Sequence, residues 1–430
     1  MSRTFDIIIV GAGASGLTAA IQAARNGAEV LILEHMDKAG KKLLATGNGK
    51  CNFTNEKQGI AYYNGKNPAF VLPVLKQFGL RETLDFFQEL GIYPRTKRGG
   101  YYYPASGQAA SMVEILLMEC KRLHVRIGYN VGIRKICRDG NGFTFHTKQG
   151  FFYSQRCILA TGGKSARKTG SDGSSIQYIV DFGHKLTDIV PALVQLHGKQ
   201  SFLKEIAGIR ADGSIQLYIE NEKIAEDTGE LQLTECGVSG IPAFQVSRHA
   251  AYGLLYGKQV RVSLNFLPEL SAKEANELLK QRFSVNGRGK NAAQALIGLF
   301  PQKLNSVLLQ EARLLPEKAA QDCTQQEIQS LTERIQSLWL DITGTKGFDH
   351  AQVTAGGVDT CEINPQTMES LLVPGLYFAG EVVDVDGLCG GYNLQWAWSS
   401  GYVAGNAASA SIRTNQGGNY DSNSAVKTAN

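Results

Sequence analysis

The stretch FDIIIVGAGASGLTAAIQAARNGAEVLILE, residues 5–34, limits what this chain can fold into more than any other. An apolar run from Phe5 to Val10 enters Gly11, Gly13 and Gly16. Small residues and Leu17 continue at helical spacing to Asn26 and Gly27, and a second apolar run, Val30 to Leu33, ends on Glu34. That order reads as strand, tight turn, helix and strand, with an acid where a βαβ unit presents a carboxylate to a ribose. Each glycine has a reason: Gly11 makes the turn, Gly13 lets a pyrophosphate approach the backbone, and Gly16 packs helix on strand. The unpaired N–H groups of the helix start, Ala14 and Ser15 included, would face the phosphates. Glu34 points to an unphosphorylated adenosine ribose, hence FAD or NAD rather than NADP.

A chain of 430 residues is too long for one ordinary core, so two or three domains are expected. Hydrophobic residues make up 43% and charged residues 19%, a soluble, globular balance. No apolar run approaches the roughly 20 residues of a membrane span, and Phe5 to Val10 is too short for a signal-peptide core. A cytoplasmic protein without membrane contact is expected, as monomer or homodimer. The eight cysteines form no CxxC pair, which fits reduced thiols and no metal site. A net charge of +5 permits an anionic partner without requiring one.

The segment from His35 to Asn55 shows little periodicity and reads as a long functional loop. Lys41, Lys42 and Lys50 supply charge, while Gly47 and Gly49 let the backbone pass close to a flat or phosphorylated group. Residues 67–91 have spacing for two short helices. Arg95, Lys97 and Arg98 then stand beside Tyr101, Tyr102 and Tyr103, a pairing that single-stranded nucleic acid uses, although a Tyr-rich turn packing on its own helix accounts for it too. A helix is expected over 107–123 with Ser106 as its cap. Short strands lead to Cys157–Ala160 and the glycine pair Gly162 and Gly163. The loop KSARKTGSDG, 164–173, precedes a helix over 174–182. From about Leu186 strand-like runs dominate, interrupted by a turn at Gly237–Pro242 and a helical stretch. Residues 271–338 read as a small helical bundle, and the tail after Thr414 reads as disordered. The last block holds a buried strand, Leu376 to Ala379, ending on Gly380 and Glu381, then DVDGLCGGYN and an apolar helix from about Leu394.

GKKLLATGNGKCNFTN, residues 40–55, resembles the flavin-contacting loop of the BaiN-like, aminoacetone-oxidase-like FAD proteins, as do QVTAGGV, LYFAGEVVDVDG and GGYNLQWA near the end. The GELQLTECGVSGIPAF run also matches, apart from Ile241 between Gly240 and Pro242, whereas KSARKTGSDG departs from the family loop that lies by the flavin. The resemblance implies an α/β architecture: a two-dinucleotide-binding-type, Rossmann-like FAD domain interrupted by a β-rich, barrel-like insertion and a helical one. The expected domains are 1–185 and 351–412 for FAD, 186–268 with 339–350 for the β-rich insertion, 269–338 for the helices, and 413–430 for a disordered tail.

The expected FAD contacts begin with Gly11, Gly13, Ala14, Ser15, Gly16, Glu34 and His35. Lys41, Lys42, Asn48, Gly49, Cys51 and Asn52 follow, then Val131, Ala160, Thr161 and Gly162. Gly380, Glu381, Asp386, Gly391, Asn393, Leu394 and Gln395 complete the set. In such flavoproteins the acid after the strand reaches the ribityl chain, and the helix start aims N–H groups at the flavin edge that becomes anionic on reduction. No second strand–GxGxxG unit is visible, so either NADH or NADPH visits the flavin as a transient electron donor or another electron source is used.

Known members are linked to aminoacetone oxidation, to reduction of steroid-like enones and to dihydrouridine synthesis in ribosomal RNA. Reduction of a carbon–carbon double bond needs hydride at one carbon and an acid at the other. Cys51, Cys389 and Tyr392 are the candidate acids, with His350 behind them. The leading expectation is an FAD oxidoreductase acting on uridine in 23S ribosomal RNA through a basic groove of Arg95, Lys97, Arg98, Arg167, Lys168, Arg288 and Lys290. A small-molecule substrate is the alternative, and a flavin-bearing RNA-binding factor without turnover is a third reading.

Overall fold

A computed structural model describes residues 4–97, 99–140 and 142–417. The chain divides into two compact units, one formed by Met1–Ile189 with Val353–Asn430 and the other by Val190–Gln352.

The first unit is built on a sheet in which seven strands are described. Thr4–Val10 lies at its centre, parallel to Val30–Leu33 on one side and to the second half of Gly150–Leu159 on the other. These strands carry Ile, Val and Leu on both faces because helices cover both faces of a parallel sheet. Gly150–Leu159 changes character midway. Its first half pairs antiparallel with Gly142–Thr147, and its second half pairs parallel with Leu376–Phe378 as well as with the first strand. The chain thus returns from beyond residue 375 to the sheet begun in the first ten residues, with Gly150–Leu159 between the two strands.

The last helix, Tyr392–Gly417, packs on Ala14–Arg25 at very short range. A Cβ at Gly401 would lie 2.4 Å from the Ser15 carbonyl oxygen, and one at Gly405 would lie 2.3 Å from that of Ala19. Glycine at both positions is therefore a packing requirement. The same helix buries Trp396 and Trp398, whose indole N–H groups donate to Gly380 O at 3.0 Å and Phe53 O at 2.9 Å. Burial of each ring stabilises the fold by a few kcal/mol, of order ~3. Its helical backbone runs past residue 413, where a disordered tail is expected, because it continues a helix already docked along its earlier turns. Residues 418–430 lie outside the described residues.

The second unit holds a closed antiparallel barrel of the strands Leu196–Gly198, Gly237–Ser239, Glu222–Thr234, Arg210–Ile219, Val260–Asn265 and Leu338–Thr345. The helix Ile241–Leu255 packs on it, with Ala243, Val246 and Ala250 buried. Helices Ala272–Phe283, Gln302–Glu311 and Gln325–Gln336 belong to the same body, since Leu279, Leu308 and Leu331 share one core with Leu264 and Leu340 of the barrel. Separate β-rich and helical insertions are expected from the sequence; the shared core makes them one. Ser271 with Glu274, and Thr324 with Glu327, form reciprocal capping boxes that satisfy helix-start N–H groups, each contributing about 1 kcal/mol.

Three local expectations change. The loop at 35–55 contains the helix Lys41–Ala45 and a tight turn at Thr46–Gly49, too short for a periodic signal. The 107–123 helix runs from Ala109 to Arg122, and Ser106 bonds the hydroxyl of Ser111 at 2.9 Å and the N–H of Gln108 without capping it. The 174–182 helix is Ile176–Asp181.

Candidate active site

Gly11 adopts φ +103°, and a Cβ there would stand 2.5 Å from Ala160 O, so the turn and the end of the neighbouring strand meet backbone to backbone. A Cβ at Gly16 would come within 2.0 Å of Gly11 O, so the glycine spacing closes the turn on its own helix. At Gly13 a Cβ would meet no heavy atom within 4 Å. Of the three, Gly13 is the one whose missing side chain is required by no contact within the described chain. The helix that follows has no side-chain cap and no acid in its first turn, leaving the N–H groups of Ala14, Ser15 and Gly16 for an anion.

Glu34 is fixed at the end of its strand. Its carboxylate accepts Ala12 N at 2.7 Å and Met36 N at 2.8 Å, and His35 Nδ1 stands 3.4 Å away. It ties the glycine turn to the strand end and retains acceptor capacity for ribose hydroxyls. Val131, one step along the sheet, donates its N–H to Glu34 O at 2.9 Å.

Gly47 and Asn48 both take left-handed backbone (φ 55° and 54°), as does Cys51 (φ 56°). Two non-glycine residues there carry strain of about 1–3 kcal/mol each, held by the surrounding fold. Cys51 is fully buried, and burial pushes its thiol up to about 12, so it stays neutral beneath the loop. Lys41 pairs with Asp37 at the surface, whereas Lys42 turns inward to Glu381 at 2.5 Å. The buried oxygens Asn52 Oδ1, Thr161 Oγ1 and Ser171 Oγ have no hydrogen-bond partner within the described chain. Such atoms cost about 1–3 kcal/mol each unless something else satisfies them. Together with the open side of Gly13, they fit an extended, hydroxyl- and phosphate-rich cofactor such as FAD.

Gly380 and the last helix lie against the same glycine turn and helix start. The Gly380 N–H donates to Ser400 Oγ at 2.9 Å, and its carbonyl accepts the Trp396 indole. A Cβ on it would lie 2.5 Å from Ser15 Oγ, so the distant segment reaches the start of the helix Ala14–Arg25. At Gly390 a Cβ would meet Tyr101 Cε1 at 2.9 Å and Tyr392 Cε2 at 3.1 Å, and at Gly391 it would meet Thr54 O at 2.7 Å and Asn52 Oδ1 at 3.0 Å. The start of the last helix therefore abuts the 52–54 loop. With Gln395 N already bonded to Gly391 O, the N–H groups of Tyr392, Asn393 and Leu394 open the helix.

Some expected contacts have their side chains spent within the chain. Asn393 bonds the backbone of Gly387 at both ends of its amide, at 2.8 and 2.6 Å. Gln395 is fully buried and binds Thr54, Thr83 and Ser399. Both side chains brace the loop. Asp386 is buried, with Asn64 Nδ2 3.4 Å away.

Tyr392 is nearly buried and stacks on Tyr62 with centroids 4.7 Å apart at 6°, while Tyr63 meets its edge at 5.9 Å. Burial, then the nearby Tyr62 and Tyr101 phenols, raises the Tyr392 hydroxyl well above its ordinary value. Cys389 is half-buried beside it in sequence. His350 lies in the other unit and is exposed. Lys97 Nζ sits 4.4 Å from the Tyr103 ring centre, so part of the base–aromatic cluster is used internally. Arg95, Lys97, Arg167 and Lys168 are exposed on the first unit, Arg288 and Lys290 on the second, and Arg98 lies outside the described residues. A cavity of about 480 Å³ beside Cys120, Lys121 and Tyr129 contains none of the motif residues. Among the described residues no acidic, His or Cys cluster could hold a metal, and no helix is long and apolar enough to cross a membrane.

Ser165, Ser171 and Thr354 escape sequence reasoning. Ser165 and Thr354 act through partners up to 216 residues away, and Ser171 stands out only as a buried hydroxyl without a partner within the described chain; a hydroxyl carries no local signature of either.

Known proteins resemble this chain over nearly its whole length. The model of the HI0933-like protein Rossmann domain matches residues 5–407. The 3-dehydro-bile acid delta(4,6)-reductase of Clostridium scindens is 44% identical over 402 residues, covering 93% of this chain and 98% of that protein. The ribosomal RNA dihydrouridine synthase of Escherichia coli is 30% identical over 399 residues, covering 93% and 96%. Among solved structures, 3-ketosteroid delta1-dehydrogenase from Sterolibacterium denitrificans aligns with a TM-score of 0.50 at 12% identity, covering 95% of this chain and 100% of that one. At that identity the likeness is one of fold.

Proposed function

The chain belongs to the HI0933-like Rossmann family of FAD-dependent oxidoreductases, and from that premise we propose that it reduces a carbon–carbon double bond conjugated to a carbonyl, on a small ring-bearing acid of the 3-oxo-steroid type. The observation that carries this reading is the 44% identity, over nearly the whole chain, with a reductase named for a 3-dehydro bile acid and its delta(4,6) bonds. This reverses the order expected from sequence, which put ribosomal RNA first.

FAD, when bound, would supply the hydride for one alkene carbon. The chain must then hold the cofactor and deliver a proton to the other carbon. The helix starts at Ala14 and Tyr392 would face the pyrophosphate and the flavin edge, with Glu34 at the ribose and Glu381 at the ribityl chain. Tyr392 is the acid in this reading: it opens the helix beside Gly390 and Gly391, and its surroundings keep the phenol protonated until an enolate carbon, a much stronger base, takes the proton. Solvent then returns a proton to the tyrosinate. Cys51 is less suited, being sealed beneath its loop. NADH or NADPH, visiting the flavin site before the substrate, is the proposed electron donor.

Uridine in ribosomal RNA is the second reading, since its ring holds the same conjugated bond. It is supported by the 30% relatives and by the exposed Arg95, Lys97, Arg167 and Lys168.

The test is anaerobic reoxidation of the reduced holoenzyme. A 3-oxo-Δ4 steroid acid should restore the oxidised flavin spectrum and yield a product two mass units heavier. Tyr392→Phe should slow this step about a hundredfold while leaving reduction by NADH unchanged. Reoxidation only by uridine-containing RNA, with dihydrouridine detected by mass spectrometry, would move the substrate to the second reading. Reoxidation by neither would sink both.

A further inference from the structure

Four segments far apart in sequence meet at one ion pair. Lys42 Nζ lies 2.5 Å from Glu381 Oε2 and 2.9 Å from Ser165 Oγ. The other carboxylate oxygen accepts Ser165 Oγ at 2.9 Å and Thr354 N at 2.7 Å. Thr354 Oγ1 in turn accepts the N–H groups of Lys164 and Ser165 at 2.8 and 3.0 Å. Neither charge can swing away without breaking several bonds, so the pair has one position.

That position lies next to the start of the helix Ala14–Arg25, where Gly380, the residue before Glu381, abuts Ser15. Gly163, in the turn after the central sheet, would bring a Cβ to 3.0 Å from Glu381 Oε1. Two glycine turns, at Gly163 and Gly380, therefore flank this carboxylate. The Lys42 and Glu381 side chains are 26% and 18% exposed, a setting in which an ion pair adds little to stability because desolvation offsets the attraction. A fixed, half-buried cation does act on any charge that appears nearby, since screening there is weaker than in water. Reduction of a flavin takes up two electrons and one proton, which adds a negative charge to the site.

We propose that the Lys42–Glu381 pair sets the reduction potential of the bound flavin, Lys42 favouring the reduced cofactor and Glu381 opposing it, with Ser165 and Thr354 as the residues that position the pair. This rests on FAD binding alone and is independent of which substrate is reduced.

Anaerobic redox titration of the holoenzyme against reference dyes tests it. Lys42→Met leaves the carboxylate uncompensated and should lower the potential, and Glu381→Gln leaves the ammonium and should raise it. Each should change the ratio of reduced to oxidised flavin at fixed ambient potential at least tenfold, about 30 mV for a two-electron couple. The double variant should return towards wild type, and Lys42→Arg should stay close to it. If Lys42→Met fails to retain FAD, the sign for Glu381→Gln still decides. Shifts of the same sign in both variants, or no shift in Glu381→Gln, would overturn the proposal in favour of a purely structural tie. An enzyme that reduced neither enone nor uridine would leave this result standing.

Discussion

The hydroxyl of Ser370 lies 2.8 Å from Nε2 of His184, whose Nδ1 stands 3.0 Å from a Glu362 oxygen. The order serine, histidine, acid is that of a hydrolase triad, but the His184 side chain is fully buried and Ser370 already accepts the N–H groups of Leu372 and Val373. Its place in the fold is to pin the 362–375 loop. Ser370→Ala should destabilise the protein by about 1–3 kcal/mol in urea unfolding, and a fluorophosphonate probe should leave Ser370 unlabelled.

The same pin makes stability acid-sensitive. Burial holds His184 below its ordinary value, with Glu362 pulling the other way. Below the free imidazole value of about 6.5 the unfolded chain binds the proton that the native site refuses, so this contribution is complete above that pH and is lost as pH falls towards the lower native value. Melting temperatures measured from pH 7.5 to 5 should fall more steeply for the wild type than for His184→Gln. Equal slopes would show that His184 contributes nothing.

Gly13 and Gly405 should fail in different ways. Gly13→Ala meets no protein atom, so the apoprotein should melt as wild type while FAD affinity drops at least tenfold, read by fluorescence titration. Gly405→Val drives a branched side chain into the Ala19 backbone and should destabilise the apoprotein itself by about 2–3 kcal/mol. Loss of apoprotein stability in Gly13→Ala would contradict the placement of its open side.

Thiol labelling should rank the cysteines by environment. Cys236 and Cys361 are exposed, and the Asp359 carboxylate raises the Cys361 thiol, so Cys236 should react first with a disulfide reagent at pH 7.5. Cys51 and Cys157, both buried with raised thiols, should react only on unfolding. Rapid modification of Cys51 in the native protein would place its sulfur at a surface.

What the sequence disclosed and what it hid follow one physical distinction. Gly11 and Gly16 were legible because backbone geometry demands glycine and leaves a mark in local spacing, Gly13 through its place in the same pattern, and Gly380 and Gly391 through the family resemblance. Glu34 was legible through its fixed distance from that turn. The helix Lys41–Ala45 is too short to show a period. The Lys42–Glu381–Ser165–Thr354 cluster is hidden because each member acts through a partner over a hundred residues away or through a fold that must form first. Strand spacing announced a β-rich region but not that its helices complete the same core, since patterns of apolar residues do not name the face they pack against.

The interrupted layout also fixes an order of events during synthesis. Val190–Gln352 is continuous and emerges whole, able to close its own core while the chain is still growing. The sheet begun at Thr4 waits for Leu376–Phe378, and the two bonds that hold Gly380 wait for Trp396 and Ser400. A nascent chain paused before residue 376 would carry a finished barrel and an unfinished nucleotide fold, so cofactor capture is confined to the final moments of translation or to the released protein.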